Sequence, residues 1–188
     1  MTAHRNKIML LIFFIQLLIP LSCIALVCTV LARGQEVTVR MAAYDPYDMI
    51  RGRYLQLRNP DSEVPLKPGL EYELKNRLDT GKMLPDMYVV LEPAPDTGLS
   101  RFSFATIKRP PHGTPYISCP ASSYTVVLRE TDGMKLRINP RIDKYYLNEA
   151  DASFLDDSIQ WDTDILVRLK LWNGVYAVNG LEVDGVSY

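Results

Sequence analysis

From Ile8 to Ala32 the chain carries no charged side chain, and this run limits what it can fold into more than any other feature. As a helix rising about 1.5 Å per residue the run reaches roughly 37 Å, longer than a hydrocarbon core of about 30 Å, so it can span a bilayer with some tilt. Gln16 and Pro20 sit least easily in lipid, but a membrane helix tolerates a proline because neighbouring groups satisfy the freed carbonyl. Two other readings make the run a removable signal. A secretory signal would use Ile8 to Ile19 with cleavage after Ala25 or Ala32, and a lipoprotein signal would modify Cys23. The further apolar stretch Leu26 to Ala32 argues against the first, and Pro20, Leu21 and Ser22 fit a lipoprotein processing site poorly. The expected division is a tail over 1–7, a transmembrane anchor over 8–32 and one exported domain over 33–188.

Local charge does not orient the anchor, because Arg5 and Lys7 on one flank match Arg33 and Arg40 on the other. The short first tail with its free amino group is expected to stay in the cytoplasm, since long following domains translocate largely regardless of charge. With 21 Lys and Arg against 22 Asp and Glu, nothing points to nucleic acid as a partner. Cys23 and Cys28 lie within the apolar run, which leaves Cys119 alone beyond it and excludes a disulfide inside the domain. Stability must come from burying apolar side chains, and a domain of this size can bury enough of them.

The domain reads as mainly β, an α+β fold with a compact antiparallel sheet and one short helix. Glu36 to Ala42 alternates Val37, Val39 and Met41 against Thr38 and Arg40, the period of a half-buried strand. Ala43 to Asp48 is a turn, and Arg51 to Asn59 a second strand in which Gly52 permits a bend. Asn59 to Pro68 reads as a loop. Glu71 to Asn76 is ambiguous between strand and helix, Asp86 to Glu92 is a strand, and Gly98 to Lys108 is a strand with Phe102 and Phe104 on one face. Arg109 to Pro120, with four prolines, is the irregular part. Two hairpins carry the clearest local signals: Ser123 to Glu130 with Met134 to Ile138 through Asp132 and Gly133, and Ile165 to Trp172 with Val175 to Val178 through Asn173 and Gly174. Asn148 to Ile159 is expected to be the short helix.

No constellation in the chain amounts to a catalytic set. His112 is the only histidine beyond the first tail, in a proline-rich loop that makes it a solvated residue rather than a base or a ligand. Cys119 has no candidate imidazole except His112. Asp156 and Asp157 are adjacent and read as surface charges, and Asp45 and Asp48 as turn residues bonding their own backbone rather than a cation. There is no glycine-rich phosphate loop and no GxSxG elbow, so no cofactor is expected. Trp161, Trp172 and many of the 11 tyrosines suit an interface.

The segment RGRYLQLRN resembles the motif that names the GDYxxLxY family of bacterial membrane-anchored proteins. Gly52, Tyr54 and Leu57 match it, whereas Arg53 and Asn59 stand where the motif has aspartate and tyrosine. YDPYDMIRG resembles the family's approach to the motif, which includes Arg51, and IDKYYLNEADASFLDD resembles its later segment of paired aromatics and a glutamate, here Tyr145, Tyr146 and Glu149. ILVRLKLWNGVYAVNGLEVDG is similar to the family's terminal hairpin. The resemblance implies an anchor in a bacterial inner membrane and a periplasmic or otherwise extracytoplasmic domain, sometimes encoded beside multi-pass membrane proteins. It implies no reaction.

These readings lead to a noncatalytic accessory protein whose partners are the lipid bilayer and a multi-pass membrane protein. The alternatives are a membrane-bound hydrolase distantly like signal peptidase, for which a serine motif after the anchor and a lysine base are missing, and a cell-envelope ligand-binding module with an aromatic-lined groove.

Overall fold

The computed structural model describes residues 2–43, 54–58, 62–95, 97–129, 133–138, 144–146, 164–183 and 185–187. Its first element is a 32-residue helix, α1 (Thr2–Arg33), with Pro20 in its interior. The hydroxyls of Ser22 and Thr29 donate to the Ile19 and Ala25 carbonyls, each at 2.7 Å, so both polar groups are satisfied within the helix. Over Asn6–Arg33 the mean hydropathy reaches 2.7, and the rest of the chain does not cover the most apolar window. One N-terminal helix is thus long and apolar enough to cross a membrane.

Only Gly34 separates α1 from the strand β1 (Gln35–Ala43). The last turn of α1 packs on the hairpin of β10 (Asp164–Trp172) and β11 (Val175–Val183), which leaves Val30 with no exposed surface. The Gly34 amide donates to the Val30 carbonyl at 2.8 Å. A Cβ on Gly34 would stand 2.3 Å from that carbonyl oxygen and 3.0 Å from the Leu171 nitrogen, so only glycine lets the chain leave the helix this close to β10.

β1 runs through the middle of a nine-stranded, mostly antiparallel sheet ordered β12-β11-β10-β1-β5-β4-β6. The remaining strands on this path are β4 (Met87–Pro93), β5 (Ser100–Thr106), β6 (Tyr116–Cys119) and β12 (Val186–Ser187). The other two members are β2 (Tyr54–Arg58), which pairs with the far end of β1, and β9 (Lys144–Tyr146), which pairs with β2. A single parallel contact, Val39 with Ser100, joins β1 to β5. The register sets Val37 opposite Leu169, Val39 opposite Val167 and Met41 opposite Ile165, so the apolar alternation of both strands falls on one face.

A second sheet, ordered β3-β8-β7, contains β3 (Glu63–Pro65), β7 (Tyr124–Arg129) and β8 (Gly133–Ile138). Its Val64, Leu136 and Ile138 join the main sheet's residues in one buried cluster, and the helix α2 (Leu70–Asp79) adds Leu74. A fully buried aliphatic side chain contributes roughly 1.5–3 kcal/mol, whereas an exposed ion pair such as Arg137 with Glu63 contributes about 0–1 kcal/mol. The shared apolar layer therefore holds the sheets together.

Several sequence expectations are corrected by long-range pairing. The loop expected over 59–68 contains β3, whose edge position accommodates Pro65 and whose Val64 faces Leu136. The irregular stretch 109–120 ends in β6, an edge strand paired with β4. The ambiguous Glu71–Asn76 belongs to α2, where Glu73 and Arg77 form an i,i+4 pair at 3.0 Å. In β5 a register shift opposite Val90 and Leu91 breaks the expected common face: Phe102 and Ala105 are buried, while Phe104 is partly exposed. The second hairpin forms at its expected turn, with Asn173 and Gly174 both in the left-handed region, but β11 continues past Val178 to Val183. The first hairpin pairs Arg129 with Gly133, and its residues 130–132 lie outside the described residues, as do the helix expected over 148–159 and all of the turn expected over 43–48 except Ala43, which ends β1.

Replacing Gly34 by valine should destabilise the full chain by about 1–3 kcal/mol, because the obstructing atoms are backbone and cannot rotate away. Thermal unfolding in detergent would record this as a lower midpoint, and an unchanged midpoint would show that the junction yields.

Candidate functional site

A cleft of about 570 Å³ opens beside the end of α1. The segment after β5, the Asn173–Gly174 turn and the α1–β1 junction enclose it. The turn is docked: the Ser118 amide donates to the Gly174 carbonyl at 2.9 Å, and a Cβ on Gly174 would meet the Tyr116 ring at 2.7 Å. The Leu91 amide donates to the Pro115 carbonyl at 2.9 Å and pins the end of the proline-rich segment to β4. Tyr116 also packs edge-on against Tyr88, with ring centroids 5.6 Å apart.

Arg109 is fixed across this cleft. Its Nε donates to the Tyr116 hydroxyl at 2.8 Å and its Nη2 to the Asn173 side-chain oxygen at 3.3 Å. Both partners are neutral, so the guanidinium is oriented without being neutralised. Arg33 and His112 also line the cleft, and no aspartate or glutamate does among the described residues. Glu36, next to the junction, is engaged by Lys170 at 3.0 Å. The cleft thus presents preorganised donors and uncompensated positive charge, the chemistry of an anion site. Sequence reasoning placed His112 in a solvated loop, where it is exposed, but gave no sign that Arg33 and Arg109 line one cleft. The signal available was the Asn-Gly turn, whose tip packs against the proline-rich segment.

The residues singled out by the sequence motif lie elsewhere. β2 and β9 pair antiparallel, with Tyr54 opposite Tyr146, Leu55 opposite Tyr145 and Gln56 opposite Lys144. Two segments far apart in the chain are therefore neighbours. Leu57 pairs with Ala43 at the far end of β1, about 26 Å along the strand from Gln35 at about 3.3 Å per residue. Arg51, Gly52 and Glu149 fall outside the described residues, as do Asp45, Asp48, Asp156, Asp157 and Trp161.

A family model described as GDYXXLXY protein matches residues 16–181. No curated protein and no solved structure matches the chain.

Cys119 stands in β6 as a buried thiol. Burial pushes its pKa up to about 11, and a side-chain hydrogen bond with Ser123 offsets part of that rise. The Tyr124 hydroxyl donates to the Pro85 carbonyl, and burial, with Asp86 and Cys119 nearby, raises its pKa to about 12. Both groups hold their protons more tightly folded than unfolded, so their contribution is intact below about pH 9 and is lost as pH rises toward 11 and 12. The melting midpoint should therefore fall steadily above pH 9, with a shallower fall in Cys119→Ala. Thiol alkylation at neutral pH should leave native Cys119 unmodified and label it on unfolding; rapid native labelling would contradict its burial.

Proposed function

The chain belongs to the GDYXXLXY family, and from that premise we propose that it is a single-pass membrane protein whose β-rich domain serves as a noncatalytic accessory to a multi-pass membrane partner. On this reading Ile8 to Ala32 is an uncleaved anchor in a bacterial inner membrane. Residues 1–7 lie in the cytoplasm and the domain over 33–188 lies outside it.

The observation that carries the reading is the one-residue junction. With Gly34 alone between α1 and β1, and with Val30 buried under the β10–β11 hairpin, the domain has no tether on which to range. A domain built onto its anchor in this way meets what lies in or on the bilayer, and its central strand turns any force on the anchor into force on the sheet. The motif then reads as architecture rather than as a reaction centre: Tyr54 and Leu57 lie in β2, Tyr145 and Tyr146 in β9, and these strands pair at the far end of β1. The register that sets Tyr54 opposite Tyr146 and Leu55 opposite Tyr145 supports that assignment, because it joins the two motif segments as neighbouring strands.

Affinity purification from gently solubilised membranes should recover the same multi-pass protein each time. Inserting about six glycine and serine residues between Gly34 and Gln35 loosens the domain from its anchor and should lower recovery about fivefold or more. Repeated recovery of the chain alone would end the proposal, as would a mature chain beginning near Leu26 or Arg33 in a soluble extract.

A further inference from the structure

A hydrocarbon core of about 30 Å accommodates about 20 helical residues, fewer than the apolar run contains. A span that enters lipid near Ile8 therefore emerges near Val27, and the next turn and a half, up to Arg33, stands in the headgroup layer. Val30 belongs to that stretch and is covered by the β10–β11 hairpin, so the hairpin tip lies at headgroup depth as well. The cleft beside the junction has that tip and Arg33 in its walls.

Three features of the cleft match what headgroup depth offers. Its charge is positive, and among the described residues no carboxylate lines it and none pairs with Arg33. Arg109 is held by neutral groups through Nε and Nη2, which leaves Nη1 and one Nη2 proton for a phosphate to accept in paired fashion. Trp172, half-buried in the wall, is a residue type that settles at the boundary between headgroups and hydrocarbon. We propose that this cleft seats the phosphate of an anionic phospholipid, with Arg33 and Arg109 as its ligands, and so fixes the domain's rotation about its anchor. The proposal rests on α1 being an uncleaved anchor.

The test uses the full chain in nanodiscs of phosphatidylcholine containing a minority of phosphatidylglycerol, with native mass spectrometry of the lipids that stay bound when the protein is ejected. Phosphatidylglycerol should be retained well above its share of the disc. Each arginine near an anionic surface contributes about 1 kcal/mol, or about fivefold, so Arg33→Gln and Arg109→Gln should each lower that enrichment by about that factor. Arg33→Gln is the decisive variant, since Arg109→Gln also removes hydrogen bonds to Tyr116 and Asn173. Arg109→Lys, which keeps the charge but not the paired donors, should retain part of the enrichment, more than Arg109→Gln and less than the native chain. Retention in the bulk lipid ratio would overturn the proposal, and so would full enrichment in Arg33→Gln with an unchanged melting midpoint. Enrichment abolished by millimolar glycerol phosphate, with equal binding of that compound in neutral detergent, would assign the cleft to a soluble phosphate ester and overturn the lipid. A chain recovered off the disc refutes the anchor and this proposal together, whereas a disc-bound chain without lipid preference refutes this one alone.

Discussion

Everything in this fold is referred to the point where a helix becomes a strand within one residue. The Gly34 amide still bonds back into the helix, while the next residue, Gln35, already pairs with Leu171 in the sheet. The absent side chain at Gly34 permits both, because a Cβ there would meet two backbones. Since β1 is an interior strand, flanked by β10 on one side and by β5 and β2 on the other, the sheet is organised around the segment that emerges from α1. The direction of the helix and the direction of the core are thereby set by a single backbone path.

That path also separates two surfaces. The cationic cleft belongs to the end of β1 that touches the helix, and the paired motif strands belong to the other end. A family motif is easily taken for a reactive site. Here the described part of it forms strand pairing, and the unneutralised charge lies in residues that the motif does not include.

The parts legible in the sequence are those in which a short window contains its own explanation. The apolar run, the alternation of Val37, Val39 and Met41, and the Asn173–Gly174 turn each specify local geometry through burial or backbone angle, and each is present. What was not legible depends on partners far along the chain. β3 contains a proline and few apolar residues, and it is a strand only because β8 offers it an edge. β6 lies between Pro115 and Pro120 and exists because β4 has an open side. The shift in β5 that turns Phe104 away from the core is likewise invisible to a strict period of two. The cleft is the extreme case, since Arg33, Arg109 and Trp172 come from three separate stretches, and no spacing rule links them.

The pairing of β1 with β10 has a consequence for the order of assembly. β1 leaves the ribosome early, yet its longest ladder is with a strand more than a hundred residues later, and its near neighbours in sequence cannot substitute for it. Contacts so distant along the chain close slowly, because the entropy of the intervening loop is lost before any apolar layer forms. Until β10 is made, β1 is an apolar central strand without its longest ladder. Early truncations should be more vulnerable to proteolysis and aggregation than their composition suggests, because the strand that protects the first is among the last to arrive.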